Sequence, residues 1–330
     1  MKKVAINGLG RIGRATLKIV MDHPEMELVA VNDIVPIANM VYLLKYDTVY
    51  GRYEKNVCSS KDGKSIAIED HGMYYYSEKD PAQLPWKDHG IDVVFECTGL
   101  FTKTQELQKH LDAGARQVIL SAPSKSEEML TVVHGVNKNE ENRQIISCAS
   151  CTTNCITPVV EVMKRRIGIE KATMTTVHAY TSTQDIVDSP SSKFRRGRAA
   201  AANMVPTTTG AATAAAKALP DIKGKFDGVA IRVPVPAGSL ADIVFISSRP
   251  TTREEVNETF REEARSDRYG NVLGVTEDGL VSSDIIKDPR ASIVDLTMTQ
   301  VVDGDLVKVM SWYDNEWGYA QQMVREAAQS

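Results

Sequence analysis

Gly8, Gly10 and Gly13 stand in G-x-G-x-x-G spacing between a short apolar run at residues 4–6 and a segment in which Ile12, Ala15, Ile19 and Val20 recur on one helical face. That arrangement restricts the chain to a strand, a tight turn and a helix whose first backbone amides face outward, the opening unit of a doubly wound parallel sheet. Twenty residues past Gly13, after a second apolar run at 28–31, comes Asp33, whose carboxylate can accept from ribose hydroxyls. A glycine-rich turn with a helix-capping Asp is the plainer alternative. Strand, glycines, helix, strand and acid in register favour a dinucleotide site, and a carboxylate at position 33 repels a 2′-phosphate, so NAD is expected over NADP.

Further apolar runs at 91–95, 117–120 and 144–146, with helix-period segments at 39–46 and 104–113, continue the βαβ rhythm to about residue 149 and call for a parallel sheet covered on both faces. The rhythm then changes. A helix is expected through Ile156, Val159, Val160, Met163 and Ile167, with Pro158 near its start, followed by long strand-like runs at 172–180, 228–235, 241–247 and 292–310. The last run carries the hairpin signal Asp303-Gly304, so the second domain is expected to be α+β with a mostly antiparallel sheet. Segments 254–265 and 319–328 read as helices, and 189–198 as a surface loop bearing Lys193, Arg195, Arg196 and Arg198. At 330 residues two domains are the natural expectation.

Cys148, Cys151 and Cys155 lie within eight residues. Zinc needs four ligands or three with a water, and no His or Cys knuckle elsewhere completes such a set, so no metal is expected. A disulfide between residues one helical turn apart would be strained. The remaining reading is one nucleophilic thiolate, Cys151, at a helix start whose amides stabilise negative charge. His178, in a strand-like run, is a candidate base, although spacing alone does not bring it to Cys151. Five cysteines, a formal charge of −4 and the polar interruptions Asn7, Arg11 and Arg14 near the start point to a cytoplasmic protein with no membrane or nucleic-acid partner.

Ser150-Cys-Thr-Thr-Asn-Cys155, with Gly8-Leu-Gly-Arg-Ile-Gly13, Asn32-Asp33, Leu43-Leu-Lys-Tyr-Asp47, Glu96-Cys-Thr-Gly99, Thr209-Gly210, Arg232-Val-Pro234 and Trp312-Tyr-Asp-Asn-Glu-Trp317, resembles the phosphorylating glyceraldehyde-3-phosphate dehydrogenase family from the first residue to the last. The resemblance implies a Rossmann NAD-binding domain at 1–149, a catalytic domain at 150–315, a final helix at 316–330 that packs back on the first domain, and a homotetramer. It makes Cys151 the nucleophile and His178 the base. It assigns Thr181 and Arg232 to the phosphate of glyceraldehyde 3-phosphate, and Ser150, Thr152, Arg198, Thr209 and Gly210 to inorganic phosphate. On the cofactor it implies Gly8, Gly10, Arg11, Ile12 and Gly13 at the pyrophosphate, Asp33 at the ribose, Lys79 and Ser121 along the adenine side, Thr98 as a further cofactor contact, and Asn315 at the nicotinamide amide.

Three positions depart from the family's usual pattern: Cys148 in place of Asn, Lys79 in place of Arg, and a small polar Ser189 where NAD-preferring relatives carry a larger apolar residue. The last leaves NADP as an alternative cofactor. Erythrose-4-phosphate dehydrogenase shares the thiolate chemistry but lacks the Thr-Gly of the attacking-phosphate pocket, so Thr209-Gly210 argues for phosphorolysis. A non-enzymatic NAD-sensing or RNA-binding protein on the same fold is the other alternative, and the retained Cys151 and His178 argue against it.

Overall fold

The computed structural model describes residues 1–329 and separates into two compact units. The first comprises Met1–Val132, Asn139–Ala149 and residues 323 onward; the second comprises Val133–Lys138 and Ser150–Gln322.

In the first unit nine strands form one sheet in the order Leu130–Thr131, Ile145–Ser147, Gln117–Leu120, Val93–Glu96, Lys2–Asn7, Met26–Asn32, His71–Tyr76, Ser65–Ile68 and Val57–Ser59. Every pairing as far as His71–Tyr76 is parallel, and the last two are antiparallel. From Lys2–Asn7 the chain runs first to one side and later to the other, so the switch point of the sheet lies at the end of the first strand. The helices Arg11–Val20, Ile37–Lys45 and Thr104–Asp112 fall within two residues of the expected segments. The sequence reading missed the antiparallel edge, because Val57–Ser59 and Ser65–Ile68 are too short for their alternation to stand out.

The second unit is built on an eight-stranded sheet in the order Val205–Thr208, Phe226–Val233, Ile169–Ala179, Ser239–Ser247, Leu306–Tyr313, Ser292–Asp295 and Leu273–Thr276, with Gln300–Val302 joined to Leu306–Tyr313. Two pairings are parallel, Ile169–Ala179 with Phe226–Val233 and Leu273–Thr276 with Ser292–Asp295, and the rest are antiparallel. The apolar run at 292–310 is not one strand. A 3-10 turn at Leu296–Met298 breaks it, and the chain reverses at Asp303 and Gly304, whose φ values of 50° and 77° are left-handed.

The helix Cys151–Arg166 starts at Cys151 as expected, five residues ahead of its first apolar periodic position, Ile156, and Pro158 lies in its interior. Pro158 removes one backbone donor, yet the helix continues because its buried face is long. Ile156, Val159, Val160, Val162 and Met163 join a core with Ile243, Phe245, Phe260 and Val309, and each such side chain contributes roughly 1.5–3 kcal/mol on burial.

Gly13 packs against the turn that precedes it: a Cβ there would lie 1.9 Å from the carbonyl oxygen of Gly8. Gly13→Ala is therefore expected to lower unfolding stability by about 2 kcal/mol or more. Gly10, with nothing within 4 Å of its Cβ position, is the control. Gly10→Ala should stay within about 0.5 kcal/mol of the parent by urea denaturation.

Candidate active site

In the first unit, the turn at Gly8–Gly13 is fastened from three sides. Gly8 N–H donates to the carbonyl of Asn32 (2.8 Å), Cys97 N–H donates to the carbonyl of Asn7 (2.7 Å), and Leu9 N–H donates to Asp33 Oδ2 (2.7 Å). Asp33 Oδ1 also accepts from Val35 N–H (3.0 Å), so the carboxylate stays half-exposed but is already a structural partner of the turn. Gly8 adopts φ +90° and sits against Thr98, whose backbone nitrogen would lie 2.7 Å from a Cβ at position 8. Gly10 caps the helix Arg11–Val20 without a side chain, and nothing lies within 4 Å of its Cβ position. These features fit a dinucleotide pyrophosphate: a cradle that a Cβ would fill, at the N-terminal end of a helix.

Beneath the turn lies a polar network that the sequence did not announce. The buried Glu96 carboxylate accepts from Asn7 Nδ2 (2.6 Å), His110 Nε2 (3.1 Å), Thr98 N–H (2.8 Å) and the Thr98 hydroxyl. Trp86 Nε1 can only donate, so His110 Nδ1 accepts from it (2.9 Å) and the ring hydrogen lies on Nε2, facing Glu96. Arg11 is held by Asp47 (2.5 Å) and lies over the ring of Tyr50. Burial raises the Asp47 carboxyl, but Arg11 and the N–H groups of Tyr50 and Val49 outweigh it, so its pKa lies below the usual range. Ser121, half-buried, donates its N–H to the carbonyl of Glu96 (3.0 Å); Ile12 is half-buried, and Lys79 is exposed.

In the second unit, Cys151 is the first residue of its helix, after Ser150 as N-cap, whose Oγ accepts from Thr153 N–H (3.2 Å). Ala149, just before, takes a left-handed φ of 54°, a strained conformation for a residue with a Cβ. Cys151 Sγ lies 3.4 Å from His178 Nε2. The parallel ladder pairs His178 with Arg232 directly, which brings Arg232 Nη1 to 3.0 Å from His178 Nδ1, 3.0 Å from the Ala179 carbonyl and 3.4 Å from Thr181 Oγ1. Arg232 Nε has no partner among the described residues and is buried, so that edge of the guanidinium can meet an anion.

His178 Nδ1 is 2.6 Å from the Ala179 carbonyl oxygen. A carbonyl only accepts and is the nearer neighbour of Nδ1, while Arg232 Nη1 can give its hydrogens to the Ala179 carbonyl and Thr181 Oγ1, so the ring hydrogen is placed on Nδ1 and Nε2 presents its lone pair to the sulfur. Burial and the nearby Arg232 press the His178 pKa down to about 3. Burial also pushes the Cys151 thiol up, against Arg232, the Thr152 hydroxyl and the backbone N–H groups of Thr152 and Cys151. Transfer of one proton from Sγ to Nε2 leaves the site's net charge unchanged, and the groups that oppose burial are those that would hold the thiolate. Cys155, fully buried beside Ser292 and Ser311, is pushed to about 12, and buried Cys148 goes well above the ordinary thiol range. Neither resembles a nucleophile, and all five cysteines are free thiols.

The Thr152 hydroxyl is bonded to Tyr313 OH (2.9 Å), which also reaches Thr176 Oγ1 (2.8 Å). Thr209 Oγ1 accepts from Ala211 N–H (3.2 Å), and Gly210 caps the helix Ala211–Ala218 without a side chain. Arg198 does not join this group. It pairs with Asp188 at 2.9 Å, both side chains being more than half exposed. Arg196, two residues earlier, bonds Thr207 Oγ1 (3.0 Å) and the Thr208 carbonyl (3.2 Å), and its charge is felt by His178 and Arg232. The run Arg195-Arg196-Gly197-Arg198 gave no sequence signal to choose among its arginines. Asn315 is buried, its Oδ1 accepting from Ser239 Oγ (2.9 Å).

Comparison with known proteins agrees with this geometry. Residues 2–104 match the glyceraldehyde 3-phosphate dehydrogenase NAD binding domain, and residues 150–315 match the C-terminal domain of the same enzyme. The glyceraldehyde-3-phosphate dehydrogenase of Streptomyces coelicolor is 46% identical over 326 residues, covering 98% of this chain and 96% of that protein. That of Zymomonas mobilis is 45% identical over 331 residues, covering 99% and 98%. Glyceraldehyde-3-phosphate dehydrogenase 1 of Bacillus subtilis is 45% identical over 329 residues, covering 99% and 97%.

Replacing His178 by Asn removes the proton acceptor at 3.4 Å and leaves burial acting on the thiol. Alkylation of Cys151 by iodoacetamide at pH 7 should slow by about tenfold or more and recover only at higher pH. The same change should show in acid. With the folded imidazole near 3 and the unfolded one near 6.5, the unfolded chain binds more protons between those values, so stability is lost as pH falls through that window. Between pH 6.5 and 5 the parent should lose about 2 kcal/mol more than His178→Asn by chemical denaturation.

Proposed function

Because the chain belongs to the glyceraldehyde-3-phosphate dehydrogenase family, we propose that it oxidises glyceraldehyde 3-phosphate to 1,3-bisphosphoglycerate, with NAD as hydride acceptor and inorganic phosphate as second substrate. The observation that carries the reading is the approach of Cys151 Sγ to the unprotonated Nε2 of His178, with Arg232 beside it. The Cys151 sulfur adds to the aldehyde carbon while its proton passes to His178. NAD, when bound, would supply the oxidising power as hydride acceptor, and Cys151 would then hold the oxidised carbon as a thioester. A phosphate oxygen then attacks the acyl carbon, the C–S bond breaks, and Cys151 is regenerated as product leaves.

Thr181 and Arg232 bind the substrate phosphate in this scheme; Ser150, Thr152, Thr209, Gly210 and the first amides of the helix Cys151–Arg166 receive the attacking phosphate. We assign to Arg196 the guanidinium role that the family resemblance implies for Arg198, because Arg196 reaches Thr207 and Thr208 beside the Thr209-Gly210 turn. On the cofactor, Gly8, Gly10, Gly13, Arg11 and Ile12 serve the pyrophosphate, Asp33 the ribose, Lys79 and Ser121 the adenine side, and Asn315 the nicotinamide amide, with Thr98 as a further cofactor contact. Residues 1–149 thus act as the cofactor domain and 150–315 as the catalytic domain. The grouping of residues 323 onward with the N-terminal unit supports a final helix belonging to the former.

Exposed Ile186, Val187, Phe194 and Met204 in the segment 186–204 are apolar surface of the kind that subunit contacts cover, and support a homotetramer. Five cysteines without a disulfide suit a reducing compartment, which supports the cytoplasm. Among the described residues, no helix is long and apolar enough to cross a membrane.

Steady-state NADH formation tests the reaction. It should require added phosphate or arsenate; formation that ignores both would assign hydrolysis instead. Arg196→Leu should lower kcat/KM for phosphate by about 100-fold, and Arg198→Leu by about threefold or less. The reverse order would restore Arg198 to the pocket.

A further inference from the structure

Asn315 is followed and preceded by residues that are already fixed. Tyr313 OH is bonded to Thr152 and Thr176, and Asp314 accepts through Oδ2 from Lys287 N–H (2.8 Å) and through Oδ1 from the N–H groups of Glu316 (2.8 Å) and Trp317 (2.9 Å). The backbone is therefore set, and what remains free is the side-chain amide, whose two ends differ in function: Oδ1 accepts, and Nδ2 donates.

Ser239 removes that freedom. The ladder pairs Ser239 with Tyr313, two residues before Asn315, and both Ser239 and Asn315 are buried. Ser239 Oγ accepts from Ala179 N–H (3.1 Å), and its single hydrogen then goes to Asn315 Oδ1 (2.9 Å). The flipped amide would point Nδ2 at the same Oγ, whose second lone pair could accept it, but the serine hydrogen would lose its acceptor in a buried place. That costs on the order of a lost hydrogen bond. The amide is thus oriented with Oδ1 inward and Nδ2 outward, and no hydrogen bond engages Nδ2 among the described residues.

We propose that Ser239 is a positioning residue for the cofactor: by holding Oδ1 of Asn315, it reserves Nδ2 as a donor to the carboxamide oxygen of the nicotinamide. The inference rests on the assignment of Asn315 to the nicotinamide amide made above. Ala179 connects the two halves of the second unit's chemistry. Its N–H holds Ser239, and its carbonyl holds His178 Nδ1 and Arg232 Nη1.

The test is a double-mutant cycle read by calorimetric titration of the full-length enzyme with NAD, independent of turnover. Ser239→Ala and Asn315→Ala should each raise Kd by about tenfold, the effect of one oriented hydrogen bond. The double variant should bind no more than about twofold more weakly than Asn315→Ala alone, since Ser239 acts through that side chain. Ser239→Cys, which keeps a weak donor and acceptor, should fall between the parent and Ser239→Ala. Iodoacetamide alkylation of Cys151 in Ser239→Ala, within about twofold of the parent, shows that the second unit is intact. A Ser239→Ala Kd equal to the parent's, or a double variant whose losses multiply, would overturn the role of Ser239 while leaving Asn315 in place. An Asn315→Ala variant that binds NAD as tightly as the parent would instead remove Asn315 from the cofactor site, and this inference with it.

Discussion

The carbonyl oxygen of Ala179 receives His178 Nδ1 at 2.6 Å and Arg232 Nη1 at 3.0 Å, and that shared acceptor decides the chemistry on either side of it. It selects the imidazole tautomer, so the nitrogen facing Cys151 is the one with a lone pair. It also holds a guanidinium close enough to oppose protonation of the ring. A ring with its hydrogen on Nε2 would meet the thiol as a second donor and could take no proton from it. One backbone group therefore gives a buried histidine its role as a base, without a carboxylate to orient it.

The two units reach precision by different means. In the first, the turn is shaped by the absence of side chains: Gly13 allows the helix to pass within contact of the Gly8 carbonyl, and Gly8 allows the turn to rest on Thr98. The Glu96 network underneath then fixes Asn7, the end of one strand, and Thr98, two residues past the end of its neighbour. In the second unit, strand register does the positioning. His178 and Arg232 are cross-strand partners, and Ser239 is the partner of Tyr313. The eight-stranded sheet turns distant sequence positions into neighbours whose side chains lie on one face.

How far the sequence could be read follows from this difference. The glycine turn and Asp33 are local, so spacing alone carried them, along with the alternating strands and helices of the first unit. The cysteine cluster was local as well, and the helix start at Cys151 was legible from the change of rhythm. The partnership of Cys151 with His178 was not, because it is made by a fold that closes 27 residues of separation, and only the family resemblance supplied it. Arg196 and Arg198 show the limit most sharply. They share charge, size and loop, and only the hydrogen bonds of Arg196 to Thr207 and Thr208, against the pairing of Arg198 with Asp188, tell them apart. The Glu96 network was silent for a related reason: its members are single polar residues inside apolar runs, with no period to mark them.

The ladder between Ile169–Ala179 and Phe226–Val233 has one more implication. Eight consecutive residue pairs lock these two strands, and the whole excursion from 180 to 225 leaves and returns around that lock. Insertions or deletions at its exposed outer part, such as the stretch around Phe194, would change the reach of the loop without sliding the histidine past the arginine. Such a chain can diversify what surrounds its reactive centre over evolutionary time while the centre itself keeps its alignment.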